Sequence, residues 1–369
     1  MLAQFLQTHG HWEQVITAHV RAIPAWRAVG DSRGEARALT DLAYMLTRTG
    51  RYSDALQHAH EALAIFRTHG DQRGEADVLD RIGLVCWQSS RFRDALIRHE
   101  NALAIWRTLG DRRGEAEALA HSAMSLWHVG SYDEAMSRFT RALSIYRDVA
   151  DCQGEAKTLN NIADVQLHLG LYDDALRRYE QAQVLAVDVD DRQGEAVIFN
   201  NMGNVYQRLG RYSEALVNYR KALTIYRDLG DRRCEADTLN SIGTAFRHTH
   251  HYSEAIVHHQ KALAVAHELA EPYQEARSLC SIGDLHLQSR RYDLALEDYR
   301  AALELSRRMG DPYQEGLALS GMASAQYQLK DSALAFDRWR EALALFEKIG
   351  VPEADEVRSR LLAAGSTSP

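Results

Sequence analysis

Cysteine is scarce: Cys86, Cys152, Cys234 and Cys280 are the only four in 369 residues, with no C-x-x-C and no close pair. That excludes a disulfide framework and a sequence-encoded zinc module, and it fits a reducing, cytoplasmic setting. Proline occurs five times, too rarely for Pro-rich linkers and rarely enough to leave long helices uninterrupted. Lysine is nearly missing: Lys157, Lys221, Lys261, Lys330 and Lys348 stand alone among 43 basic residues, an arginine bias we associate with GC-rich bacterial genomes. The formal charge is −8. Without a basic patch, direct binding to nucleic acid or to an anionic membrane is not expected. No run of about 18 apolar residues offers a membrane span, and no signal peptide is visible. No P-loop, H-E-x-x-H, strand-linked G-x-G-x-x-G or Ser/His/Asp set appears either, so neither an enzyme nor a cofactor is expected.

What the chain has is a period. The stretch DRQGEAVIFNNMGNVYQRLGRYSEALVNYRKALTIYRDLG, residues 191–230, recurs as units beginning at Asp31, Asp71, Asp111, Asp151, Asp191, Asp231, Glu271 and Asp311, without insertion or deletion. Within it Phe199, Met202, Gly203 and Tyr206 fall three to four apart, on one helical face, and Ala215, Tyr219 and Ala222 do so on a second helix. The small residues mark close helix approach and the aromatics fill the space between layers, so a bulky residue at Ala222 should cost roughly 1–3 kcal/mol. Each acidic opening residue reads as an N-cap, with Pro272 and Pro312 in first-turn positions. Glu35 and its copies Glu75, Glu115, Glu155, Glu195, Glu235, Glu275 and Glu315 read as negative charge at the helix start. Gly50, Gly130, Gly170 and Gly210 end the first helix. Ser90, His250, Arg290 and Lys330 replace that glycine, predicting another turn shape or strain there.

The order of these large and small residues resembles the tetratricopeptide repeat over nearly the whole chain. The resemblance implies an all-α, right-handed α-solenoid of tandem helix-turn-helix repeats, one continuous domain that grows by layers. It divides into a partial repeat over 1–30, eight complete 40-residue repeats over 31–350, a capping helix over 351–364 and a disordered tail over 365–369. The opening MLAQFLQTHG aligns with residues 41–50, so the chain is expected to start in mid-helix, as the carboxy-terminal part of a longer protein; a short capping helix at a true start is the alternative. Among such arrays, the GDRRGEA…ALAIYRxLGD unit is similar to those that end bacterial NB-ARC regulators, including Streptomyces antibiotic regulatory proteins of the AfsR kind. There the array is a sensor or autoinhibitory arm, and none of the upstream DNA- or nucleotide-binding motifs is present here.

In that family the first helix of each repeat lines a concave groove that holds a peptide or partner protein. Carried onto this chain, the lining stripe takes the positions of Val197, Asn200, Asn201, Asn204, Gln207 and Arg208. Asparagine recurs along it at forty-residue steps: Asn160 and Asn161 with Asp164, then Asn200, Asn201 and Asn204, then Asn240. A ladder of amides can grip a peptide backbone through both N–H and C=O, and Arg208 and Arg247 can receive a carboxylate. The alternative is that the asparagines bond neighbouring helices and the arginines are solvated. Tyr44, Trp87, Met124 and Trp127 make either an apolar pocket or an interlayer packing set. The 17 histidines, notably His248, His250, His251, His258 and His259, have no acidic or cysteine ligand at matching spacing. They read as surface or packing residues, with no metal expected. A peptide or protein in the groove, possibly upstream domains of the same polypeptide, is the expected partner. Self-association and a small-molecule sensor are the rivals.

Overall fold

The computed structural model describes residues 12–365. The expected mid-helix start at residues 1–10 and the tail at 366–369 lie outside them. The chain falls into two compact units, residues 1–205 and 206–369, a division the unbroken period does not announce. Helices of the first unit are α1 (Trp12–Val29), α2 (Ser32–Arg48), α3 (Tyr52–Thr68), α4 (Gln72–Gln88), α5 (Phe92–Leu109), α6 (Arg112–His128) and α7 (Tyr132–Asp148). After these come α8 (Cys152–His168), α9 (Tyr172–Asp188) and α10 (Arg192–Arg208), inside which the division lies. Those of the second are α11 (Tyr212–Leu229), α12 (Arg232–His248), α13 (Tyr252–Glu268), α14 (Pro272–Gln288) and α15 (Tyr292–Met309). It closes with α16 (Pro312–Gln328), α17 (Ser332–Ile349) and α18 (Glu353–Gly365), the last packed on α17. No strand occurs among the described residues. Each unit is thus a stack of helix pairs, an all-α solenoid in which even-numbered helices from α2 to α16 open the repeats and odd-numbered ones close them.

The helix starts follow the aspartates. Asp31, Asp71, Asp111, Asp151, Asp191 and Asp231 each accept the backbone N–H three residues on, at 2.8–3.1 Å. Asp311 caps Tyr313 and Gln314 in the same way. Glu271 does not cap α14 with its side chain; its carboxylate sits one methylene farther from the backbone. The glutamates also do more than complement the helix dipole. Arg27, Arg67, Arg107, Arg147, Arg227 and Arg307, each on the preceding helix, donate to Glu35, Glu75, Glu115, Glu155, Glu235 and Glu315 at 2.5–3.1 Å. These bridges tie one repeat to the next, at about 0–1 kcal/mol each because the arginines are exposed.

The third residue of the helix shows why GEA follows the arginines. A Cβ on Gly74, Gly114 or Gly154 would stand 2.3–2.4 Å from the ring of Phe66, Trp106 or Tyr146, so each ring lies flat against bare backbone of the next repeat. The expected packing face is present as well: Ala215, Tyr219 and Ala222 are wholly buried, and Phe199 and Met202 nearly so, in their respective units.

The turns that lack glycine keep its shape. Ser90, His250, Arg290 and Lys330 have φ of 59–66°, and Ala150, Asp190 and Ala270, in the turns between repeats, have 52–55°. The left-handed conformation brings Cβ against the carbonyl in L-residues, so these turns are strained rather than reshaped. Ala270→Gly and Lys330→Gly should therefore each stabilise the protein by about 1 kcal/mol, read as a higher denaturation midpoint. By contrast Gly74→Ala, which drives a methyl into Phe66, should cost roughly 1–3 kcal/mol. A lower midpoint for both turn variants would show that those turns carry no strain.

Candidate functional site

In the first unit the forty-residue register sets α8 and α10 side by side with like faces aligned. Asp164 is the centre of what they bring together. Its Oδ1 accepts from the Tyr179 hydroxyl at 2.5 Å and from Asn201 Nδ2 at 3.1 Å, and its Oδ2 accepts from Asn160 Nδ2 at 3.1 Å. Asn201 Nδ2 also reaches Asn160 Oδ1 at 3.2 Å. Four side chains from three helices thereby form one network, and the donors of Asn160 and Asn201 point inward to it. Asn161, Asn200 and Asn204 are half-buried on the same stripe, and Asn161 makes no hydrogen bond to a described residue. Loss of solvent pushes the Asp164 carboxyl up to about 7, against the lowering effect of Tyr179 and Asn160.

The aromatic residues are arranged otherwise than as a single pocket. Tyr44 lies under the Arg81 guanidinium, 4.9 Å from the ring centroid. Trp87 packs edge-on against Phe92 and His128, and Trp127 packs edge-on against His168 and tilted against His128. Phe92 and His128 stack at 4.3 Å, and the Tyr132 hydroxyl lies 3.1 Å from His168 Nε2. Trp87 and Trp127 therefore belong to a ring seam along the turns within repeats, the interlayer alternative; Tyr44 and Met124 stand outside that seam. Half-buried indoles leave part of it accessible.

The second unit separates its candidates. Gln207 accepts from the Tyr219 hydroxyl at 3.2 Å, and Arg208 is exposed. Asn240 leaves the lining stripe altogether: it is buried, donates to Ser278 Oγ at 3.1 Å and pairs with His259 Nδ1 at 2.8 Å, so its amide is occupied between layers. Arg247 lies 3.7 Å from Asp284, which accepts from the Tyr299 hydroxyl at 2.6 Å. Burial raises the Asp284 carboxyl too. Sequence reasoning missed this residue. Its signal was an acid in the register of Asp164 with a tyrosine fifteen residues later, in both units.

Sequence reasoning also found no acidic partner for histidine, and the structure corrects this. Asp80 on α4 meets His99 Nδ1 of α5 and His121 Nδ1 of α6, each at 2.6 Å. These are the residues of the described chain with the donor set and proximity for a metal ion. Burial alone would raise the Asp80 carboxyl, but His121 and His99 outweigh it and hold it below the usual carboxylate range. Their separations of 19 and 41 residues hide the cluster from any local motif.

Profiles of the tetratricopeptide repeat match residues 1–68, 34–108, 74–148, 114–186 and 194–268, and another matches 276–308. No curated protein matches the chain. Among solved structures, it is similar to a signal transduction ATPase with numerous domains, carrying a tetratricopeptide repeat sensor, from Pyrococcus horikoshii. The identity is 11% and the TM-score 0.70, over 95% of this chain and 55% of that one, so it spans about half that protein's length. The apo quorum sensor NprR from B. thuringiensis aligns with 19% identity and TM-score 0.60, over 93% of this chain and 96% of the other. A Rap protein complexed with Competence and Sporulation Factor aligns at 16% and 0.55, over 90% and 98%. At these identities the likeness is one of fold.

Asp164 generates a pH signature. Folded, it keeps its proton to about pH 7; its ordinary value is 3.8. The folded state binds the extra proton between those values, so stability falls as pH rises through the window. Asp164→Asn removes that loss and should raise the melting temperature more at pH 8 than at pH 5. An equal shift at both would show that Asp164 titrates normally.

Proposed function

Since the chain belongs to the tetratricopeptide repeat family, we propose that it is a non-catalytic scaffold holding an extended peptide, or a segment of a partner protein, on the opening helices of its first unit. The observation that carries this is the Asp164 network. Asn160 and Asn201 fix the carboxylate, and Asn161, Asn200 and Asn204 line the stripe around it with amides that match a peptide backbone. A carboxyl near half-protonation at neutral pH accepts a ligand N–H or cation by releasing its proton. Asn160 and Asn201 act by positioning; Tyr44, Trp87 and, against His168 of α8, Trp127 offer apolar surface in the same unit. In the second unit, exposed Arg208 and, on release from Asp284, Arg247 offer cations to a ligand carboxylate, with Gln207 alongside.

The wider role we propose is the sensor arm of a larger bacterial regulator, cytoplasmic and of the NB-ARC kind that includes the Streptomyces antibiotic regulatory proteins. A fold shared with the repeat sensor of a multidomain ATPase, with a quorum sensor and with a Rap protein bound to a signalling factor supports that reading. DNA binding and nucleotide hydrolysis would then belong to other segments of the polypeptide.

The test is a displayed peptide library panned against the purified chain, with selected peptides measured against Asn161→Ala/Asn204→Ala. Two lost hydrogen bonds of about 1 kcal/mol each predict a weakening of roughly tenfold or more, with the melting temperature measured alongside to establish that the variant is folded. Unchanged affinity in the folded double variant would remove the amide stripe from the binding face.

A further inference from the structure

We propose that Asp80, His99 and His121 form a binding site for a divalent first-row transition metal, with Zn2+ the reference ion, which clamps two successive repeats of the first unit together. The three residues bring one carboxylate and two imidazole nitrogens within 4.8 Å of one another. That donor set suits zinc, nickel, cobalt and copper, and excludes a preference for calcium or magnesium, which take oxygen ligands. Both rings already aim Nδ1 at the same carboxylate, at 2.6 Å on each of its two oxygens. Coordination replaces the two hydrogen bonds by metal bonds, with each imidazole proton moving to Nε2.

The site is held rigidly. His99 is completely buried, and its ring lies on the bare backbone of Gly83, where a Cβ would approach within 2.4 Å. Its Nε2 is buried without a partner, so the proton that coordination moves there goes unpaired, a cost the metal bond at Nδ1 must exceed. His121, the least buried of the three, opens the cluster to solvent and supplies the route of entry. Charge favours a cation: Glu117 and Asp77 stand one turn before His121 and Asp80 on the same two helices, and Glu117 acts on His121 directly. Arg81 opposes them but is drawn over the Tyr44 ring.

Packing alone does not require this set. The seats of Asp80 and His99 recur as Asn240 and His259 in the second unit, where an amide, an imidazole and Ser278 satisfy one another without any carboxylate. In the repeat that follows Asp80, the same two seats hold Ala120 and Phe139. Asp80 with two histidines is therefore an addition to the common plan. It joins α4 and α5 of one repeat to α6 of the next.

The experiment titrates Zn2+ into the chelator-treated full chain by calorimetry, with Co2+ as a spectroscopic probe and a thermal scan alongside. One Zn2+ per chain, a raised melting temperature and visible Co2+ bands of four-coordinate character are expected. His121→Ala, at the most accessible of the three positions with 19% of its side chain exposed, should weaken binding by at least about tenfold and abolish the Co2+ bands, and Asp80→Asn should do the same. His250→Ala/His251→Ala, which removes surface histidines of the second unit, should leave the site intact. Absence of stoichiometric Zn2+ binding by the wild-type chain would overturn the proposal. So would binding that survives in folded His121→Ala or disappears with His250 and His251.

Discussion

The stack of the first unit depends on aromatic rings that close one repeat lying on the naked backbone that opens the next. Phe66 on Gly74, Trp106 on Gly114 and Tyr146 on Gly154 set the separation of neighbouring layers at van der Waals contact with a ring. The arginine one residue after each ring then reaches Glu75, Glu115 or Glu155. Ring, glycine, arginine and glutamate thus act as one hinge pin per layer, and an insertion or deletion in the turn between them would pull all four out of register.

Fixed layers have a second effect, on polar side chains. Residues forty-one apart come to face each other across a boundary, so whatever occupies those seats is forced into contact. At one boundary the meeting is Asp80 with His121, and at another Asn160 with Asn201. The scaffold is uniform, and the chemistry placed between its layers is not. This is how a repetitive sequence carries local identity while every copy keeps the same core.

Helix bounds were legible because their signals are local: the aspartate caps bind N–H groups three residues on, and the turns keep glycine's conformation even at Arg290 and Lys330. The packing face was legible for the same reason, since Ala215, Tyr219 and Ala222 share a helical face at short spacing. Partners across layers were not. Helical period places Asn240 on a stripe, but only the neighbouring layer decides that its amide turns to Ser278 and His259. Trp87 and Trp127 went the same way, into a seam with His128 that no spacing within one helix reveals. Asp80, His99 and His121 stand on three helices, and their convergence is a property of the stack.

The left-handed residues give the array an uneven grain. His250, Ala270 and Arg290 occupy three consecutive turns, on either side of α13 and α14, and each holds an L-residue where glycine would rest without strain. In a stack where every layer touches only its neighbours, opening free energies are set layer by layer. Amide protons of that hairpin are therefore expected to exchange with solvent through a local opening, ahead of hairpins whose turns end in glycine. The second unit carries its own preferred breaking point, written in the backbone and invisible in the core.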